Sequence, residues 1–356
     1  AGKRAVALGS FALGTQNHST GTENYNVGVG YAAGNLITTG VKNVLLGGLA
    51  GDALTDADKN VAIGYLSLSA DTLGSHSVAI GNAALETQNF TTATSSYNVA
   101  IGSSAGNKIT TGVQNVILGA LAGDALTDAD RNAAFGYGAL TLDVLGSRST
   151  AIGAITLANQ NFTTATESYN TAVGYAAGQE VTTGIQNTII GGLAGDALTT
   201  GSNNTVVGRD ALGADTLGSR AVAIGDAALQ SQNFTTATEN YNVGIGYAAG
   251  ANLTTSQSQT LVGGLAGDAI TTGSENTALG YKTLSANTTG FYNVAVGSRA
   301  LANMNVTDSS GTLNTAVGYN AGNDVTTGTN NTFIGAYAGD ALTDADFNTA
   351  VGVNAL

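Results

Sequence analysis

The sequence predicts an all-β fold, a parallel β-solenoid with coils of 17 and 21 residues, on three observations. The phrase Asn-Val/Thr-Ala-Ile/Val-Gly returns twenty times, closing on Gly9, Gly30, Gly47, Gly64, Gly81, Gly102 and onward to Gly352. The intervals run 21, 17, 17, 17 and then repeat, so a period of 72 residues overlies the coil period. A 17-residue repeat is too short for a pair of helices and fits one solenoid turn, in which each coil covers only its neighbours. The third observation is composition: with 51 glycines and no proline the chain would read as low complexity, but 43% of it is hydrophobic and those residues fall in register. Disorder requires low hydrophobicity and high charge, so a packed structure is expected.

Within a coil, the residue before each closing glycine is Leu, Val, Ile or Phe, as in Leu8, Val29, Ile63, Ile101 and Phe135, and reads as a core ladder. Two residues earlier stands Val, Thr or Ala, as in Val61, Val99 and Thr171, which shares the same strand face and predicts a short strand in every coil. The residue between them is mostly Ala or Gly (Ala62, Ala100, Ala172, Gly244), with Leu45, Ile117, Ile189 and Phe333 as larger members, so the second face is apolar too. A strand with one face in water should alternate apolar with polar. A covered second face is therefore expected, and a homotrimer with the small residues around its axis is the simplest cover.

Fifteen of the twenty coils place asparagine four residues before the glycine, among them Asn26, Asn43, Asn60, Asn98, Asn115 and Asn132, and stacking should align these into an amide ladder. After the glycine, a small third residue (Ala33, Ala50, Ala105) and an aliphatic seventh (Ile37, Leu54, Ile109) indicate a second short strand or bend. Turns such as Thr38-Thr39-Gly40 then return the chain to the next asparagine.

Residues 1–356 read as one repeat array of about twenty coils. Both ends fall inside coils and solenoids need polar caps, so a fragment of a longer fibre is expected. The net charge of −13 leaves no basic face for nucleic acid. The chain has no cysteine for disulfides or thiolate metal sites and no run of eighteen apolar residues, so no membrane insertion is expected in this segment. The two histidines, His18 and His76, accompany no nucleophile or phosphate-loop motif, and the expectation is a non-enzymatic protein without an obligate cofactor.

Two decorations are candidate sites. Long coils carry four surplus residues around Asn89-Phe90-Thr91, Asn161-Phe162-Thr163 and Asn233-Phe234-Thr235, a line of insertions suited to a glycan or a cell-surface protein. The competing reading, favoured because large apolar side chains are usually buried, folds each Phe back over its own coil or a neighbouring subunit. The second decoration is a turn with three carboxylates: Asp52, Asp56, Asp58; Asp124, Asp128, Asp130; and Asp340, Asp344, Asp346. Such a set supplies oxygens for calcium. The equivalent turns Thr199-Thr200-Gly201-Ser202 and Thr271-Thr272-Gly273-Ser274 lack it, so solvated turn acids are the default reading.

The phrases Asn98-Val99-Ala100-Ile101-Gly102, Ser77-Val78-Ala79-Ile80-Gly81 and Asn314-Thr315-Ala316-Val317-Gly318 resemble the head repeats of YadA-like trimeric autotransporter adhesins. They are similar also to the Asn-Thr-Ala-x-Gly-x-x-Ala-Leu repeats of phage tail fibres. The resemblance covers essentially the whole chain. It implies a left-handed parallel β-roll assembled as a trimer, outside the cell, on a cell surface or a virion. A structural or adhesive fibre segment leads on this reading. A tail-fibre shaft, an ice- or carbohydrate-binding solenoid and a polysaccharide-degrading spike remain the alternatives.

Overall fold

The computed structural model describes residues 4–18, 21–307 and 311–356, all of it strand, turn and bend with no helix. It is a parallel β-solenoid of about twenty coils and falls into two units, Ala1–Ala176 and Ala177–Leu356. Unit 1 stacks three-residue strands in chain order: Val6–Leu8, Val27–Val29, Val44–Leu46, Val61–Ile63, Val78–Ile80, Val99–Ile101, Val116–Leu118, Ala133–Phe135, Thr150–Ile152 and Thr171–Val173. Each pairs in parallel with the next, equivalent residue on equivalent residue, as in Ala62↔Ala79, Ala79↔Ala100 and Ala100↔Ile117. Unit 2 does the same from Thr188–Ile190 through Thr205–Val207 and Val222–Ile224 to Thr349–Val351.

The strands face the opposite way from the sequence expectation. The middle residue points into the coil: Ala62, Ala79, Ala100, Ile117 and Ala172 have no accessible surface, whereas Ile63 and Ile101 are 36% and 38% exposed. The residues before the glycines therefore form an outer ladder and the small residues an inner one. The reason is interior volume. Each coil already places one large side chain inside, from the fourth position after the glycine (Leu68, Leu85, Leu140, Leu157) or from the seventh (Ile37, Leu54, Ile109, Leu126), all fully buried, and the large middle residues Leu45, Ile117, Ile189 and Phe333 join it where the fourth position is glycine.

The two positions compensate. Where the seventh is aliphatic the fourth is glycine: a Cβ on Gly106 would lie 2.9 Å from the Ile109 Cδ1, and one on Gly51 would lie 2.8 Å from the Leu54 Cδ1. Where the fourth is leucine, the seventh is usually polar, as at Asp71, Gln88, Asp143 and Gln160. The fourth position is left-handed in both cases, with φ 49° at Leu85 and 56° at Gly106, so the leucines hold a conformation that costs about 1–2 kcal/mol in return for filling the core.

The asparagine ladder forms, with the expected amide-to-amide bonds at several rungs (Asn43 to Asn26 and Asn115 to Asn98 at 3.3 Å, Asn293 to Asn276 at 2.9 Å) and bonds to the backbone beside them. Asn115 Oδ1 accepts the backbone N–H of Asn132 in the next coil at 2.9 Å, and Asn115 Nδ2 donates to the carbonyl of Ala129 in its own turn at 2.7 Å. Asn43 repeats both bonds at 2.9 Å to Asn60 N–H and 2.8 Å to Ala57 O. Each buried amide thus ties one coil to the next and closes its own coil, satisfying backbone groups that have no strand partner.

No second strand follows the glycine in the ordinary coils, where the chain turns instead. Among the described residues, two-residue strands occur only beside the long coils: Gly74–Ser75 pairs with Thr94–Ser95, Gly146–Ser147 with Thr166–Glu167 and Gly218–Ser219 with Thr238–Glu239.

Candidate functional site

The surplus residues of a long coil are a loop on an otherwise continuous stack. Leu73 N–H donates to Phe90 O at 3.1 Å, and Thr94 N–H returns to Leu73 O at 3.4 Å, so the chain leaves the stack at Phe90 and rejoins it at Thr94. Phe90, Phe162 and Phe234 are buried at 4–5% exposure, which matches the reading in which each folds back over its coil. The exposed parts are Asn89, Thr91, Thr92 and Ala93 and their counterparts Asn161 and Thr163, Asn233 and Thr235.

A buried polar network holds the base of each loop. Asp71 Oδ1 accepts the N–H groups of Gly74 (3.0 Å) and Phe90 (3.1 Å), and its Oδ2 accepts Gln88 Nε2 at 2.6 Å. Gln88 Nε2 also donates to Ser77 Oγ at 2.8 Å, and Gln88 Oε1 accepts Asn98 Nδ2 at 2.9 Å. Asp143–Gln160 and Asp215–Gln232 repeat the carboxylate–amide bond at 2.6 Å. Burial pushes all three carboxyls up, against the opposing pull of these hydrogen bonds. In the last long coil both partners change together: Asn287 stands for the Asp, Met304 for the Gln and Val306 for the Phe. The sequence reading missed this pair, whose only signal is its 17-residue spacing.

Outside the Asp143–Gln160 and Asp215–Gln232 networks lies an ion cluster, whereas His76, Ser95 and Tyr97 stand at these positions beside Asp71–Gln88. Arg148 Nε is 2.9 Å from Glu167 Oε1, its guanidinium carbon sits 5.5 Å from the Tyr169 ring centre, and Tyr169 OH donates to Glu167 at 2.6 Å. Arg220, Glu239 and Tyr241 repeat this, as do Arg4, Glu23 and Tyr25. The Tyr169 hydroxyl, followed by Arg148, holds the Glu167 carboxyl below its ordinary range. All three groups are already mutually paired, which makes the cluster a tie between coils.

The aspartate turns have a structural use in each set. Asp58 Oδ1 accepts Val41 N–H from the preceding coil at 2.7 Å, Asp130 Oδ1 accepts Val113 N–H at 2.8 Å and Asp346 Oδ1 accepts Thr329 N–H at 2.6 Å. Where the acid is absent, Ser202 Oγ accepts Ile185 N–H and Ser274 Oγ accepts Gln257 N–H, each at 3.1 Å. Asp56 and Asp128 take the hydroxyls of Thr39 and Thr111 at 2.6 and 2.8 Å, and Asp124 takes that of Thr141 at 2.6 Å. Burial pushes the Asp52 carboxyl up. Asp340 is half-buried and Asp344 exposed, the latter accepting from Thr343 at 3.3 Å. Among the described residues no group of three or more His, Cys, Asp or Glu side chains is placed to hold a metal. Asp130→Ser should accordingly shift stability by less than about 0.5 kcal/mol, with no response to calcium or chelator in thermal melts. A rise in melting temperature with calcium that the variant abolishes would establish a metal turn instead.

The outer strand face is an exposed apolar surface. In unit 1 it carries Ile63, Ile101 and Ile152, with Tyr31, Tyr65, Tyr137 and Tyr175 exposed one residue past the closing glycines. In unit 2 it carries Ile190, Leu279, Val317 and Ile334, with Tyr247, Tyr281 and Tyr319. No protein-family model, no curated protein and no solved structure matches this chain. Among the described residues no helix is long and apolar enough to cross a membrane.

Proposed function

We infer that the chain is a non-enzymatic structural or adhesive fibre segment, a homotrimer whose outer strand faces cover one another. The observation that carries this is the exposed apolar ladder, in which Ile63, Ile101 and Ile152 recur on one face of unit 1 while the polar side chains of the coils serve their own stack. Contiguous apolar surface of that extent on a soluble chain marks an interface. A second copy presents the same ladder at the same repeat, so self-association covers it coil by coil. The axis is then lined by the branched residues, with Ala62, Ala100 and Ala172 inside each chain. The resemblance of Asn98-Val99-Ala100-Ile101-Gly102 to adhesin head and tail-fibre repeats supports the same reading, with a left-handed roll in an extracellular, cell-surface or virion setting and a glycan or surface protein as partner.

Substitution separates the two strand faces. A triple variant Ile63→Asp, Ile101→Asp, Ile152→Asp should keep its β-sheet circular dichroism and sediment as single chains, where the parent sediments as about three. Ala100→Asp places an unpaired charge inside the coil and should cost several kcal/mol of stability. A parent that stays monomeric at micromolar concentration, with a cooperative melt, would overturn the trimer.

A further inference from the structure

We propose that unit 2 carries a binding cleft for an acidic saccharide unit, one sugar ring bearing a carboxylate or sulfate, centred on Arg299 and Lys282. The two cations occupy the same position in consecutive coils, two residues past Gly280 and Gly297, and both have a left-handed backbone with φ 52° and 60°. The fold stacks them directly, since Arg299 N–H donates to Tyr281 O at 2.9 Å across the coils. Together with Ser285, Ala302, Asn303 and Asn323 they line a cleft of about 300 Å³. That is the low end for a ligand site and suits a single ring.

The arginine of the cleft differs from the others in its pairing. Every other arginine among the described residues has a carboxylate within reach: Arg4–Glu23 at 3.0 Å, Arg131–Asp130 at 3.9 Å, Arg148–Glu167, Arg209–Asp226 and Arg220–Glu239 at 2.9 Å. Arg299 forms no such pair among those residues and is exposed. The two acids nearby are otherwise engaged. Asp324 accepts the amides of Asn323 (2.9 Å) and Asn303 (3.3 Å). Asp268 is pushed up by burial and drawn down by Lys282, whereas Arg299 has no carboxylate in ion-pair reach among the described residues and is the principal anion ligand. In a chain of net charge −13, two adjacent cations in a cleft form a local exception that screening isolates from the wider negative field within roughly 8 Å.

The polar lining selects a sugar acid over a bare inorganic anion. Asn303 and Asn323 each give one amide N–H to Asp324, which leaves each amide an acceptor oxygen and a second donor, the mixed set that sugar hydroxyls use. Phosphate or sulfate alone engages the cations and amide donors but leaves the amide oxygens largely unused, whereas a uronic or sulfated ring offers its acid to the guanidinium and its hydroxyls to both ends of the amides. Tyr281 is exposed beside Lys282, with Nζ 5.6 Å from the ring centre.

The test is titration of the purified full chain with methyl glucuronoside, a sulfated disaccharide, neutral methyl glucoside and inorganic phosphate, followed by ligand-observed NMR. Both acidic sugars should bind, more weakly as salt rises. Arg299→Gln should lower their affinity at least about tenfold and Lys282→Gln by less, while Arg131→Gln changes nothing. Circular dichroism melts of the variants should match the parent, because Arg299 is exposed. Absence of binding to the folded parent, equal affinity in Arg299→Gln, or phosphate or neutral glucoside binding as well as the acids would each overturn the proposal. Sedimentation of the same samples reports self-association separately, so either idea can fail without the other.

Discussion

Gly102→Ala is expected to destabilise unit 1 by about 3–5 kcal/mol, while Gly192→Ala leaves unit 2 within about 0.5 kcal/mol of the parent. Gly102 has φ +140°, and a Cβ there would lie 2.5 Å from the carbonyl carbon and oxygen of Gly119 in the next coil. The obstacle is backbone, and it cannot withdraw cheaply. Gly119 N–H donates to Ile101 O at 2.8 Å, one residue before the substitution, and Leu118 is paired with Ile101 in the ladder. Room for a methyl group therefore comes only from opening the stack. Gly192 has no atom within 4 Å of the place a Cβ would take, and no positive φ. Because long repeat arrays lose two-state behaviour, the measurement is hydrogen exchange resolved by segment along with the melt. Protection should fall around residues 97–121 in the first variant and nowhere in the second. Equal effects would remove close backbone approach as the reason for the repeated glycine.

The coil period, the strand in every coil, the asparagine ladder and the inward fold of Phe90, Phe162 and Phe234 were legible because each follows from a spacing or a residue type. The direction of the strands was not. Alternation groups Val99 with Ile101 and sets Ala100 apart, but it does not say which group faces in when both are apolar. What decides is the space left by Leu85, Ile109 and their equivalents, and that exchange between the fourth and seventh positions has meaning only once the coil is closed. The turn acids were read as solvated, and the bond that Asp58 and Asp130 make to the preceding coil was not legible, because Ser202 and Ser274 in the same place show their shared role as an acceptor only once the coils are stacked. Arg299 was overlooked because a lone cation in a turn looks like a solvated charge until its neighbour in the adjacent coil, Lys282, is placed beside it.

Asp143→Asn and Gln160→Met are each expected to destabilise the protein, and the double variant to recover most of the loss. In the parent, Asp143 Oδ1 accepts the N–H groups of Gly146 and Phe162, each at 3.1 Å, and Oδ2 accepts Gln160 Nε2 at 2.6 Å. Asn at 143 keeps the first two bonds and turns its own amide N–H toward Gln160 Nε2, donor against donor. Rotating the glutamine amide moves the conflict onward, because Gln160 Oε1 is the acceptor for Asn170 Nδ2 at 2.9 Å. An unpaired buried group of this kind costs about 1–3 kcal/mol. Gln160→Met alone strips a donor from a buried carboxylate, at a similar or larger cost. The double variant reproduces Asn287 and Met304, where Asn287 Oδ1 takes Gly290 N–H at 3.0 Å, its Nδ2 gives to Gly290 O at 3.1 Å, and Asn314 Nδ2 rests on the Met304 sulfur at 3.3 Å. A coupling of about 1–3 kcal/mol in favour of the pair should emerge from the cycle. The pH dependence has a definite sign. Burial raises the Asp143 carboxyl, so the folded protein holds that proton more tightly than the unfolded chain between the ordinary carboxylate value and the raised one. Stability from this site therefore falls as pH rises through that window and is constant above it. The double variant lacks the carboxyl, so it should gain on the parent as pH rises through the same window. Singles that add within about 0.5 kcal/mol, or a difference from the parent that does not change with pH, would show that the two residues are not a coupled buried pair.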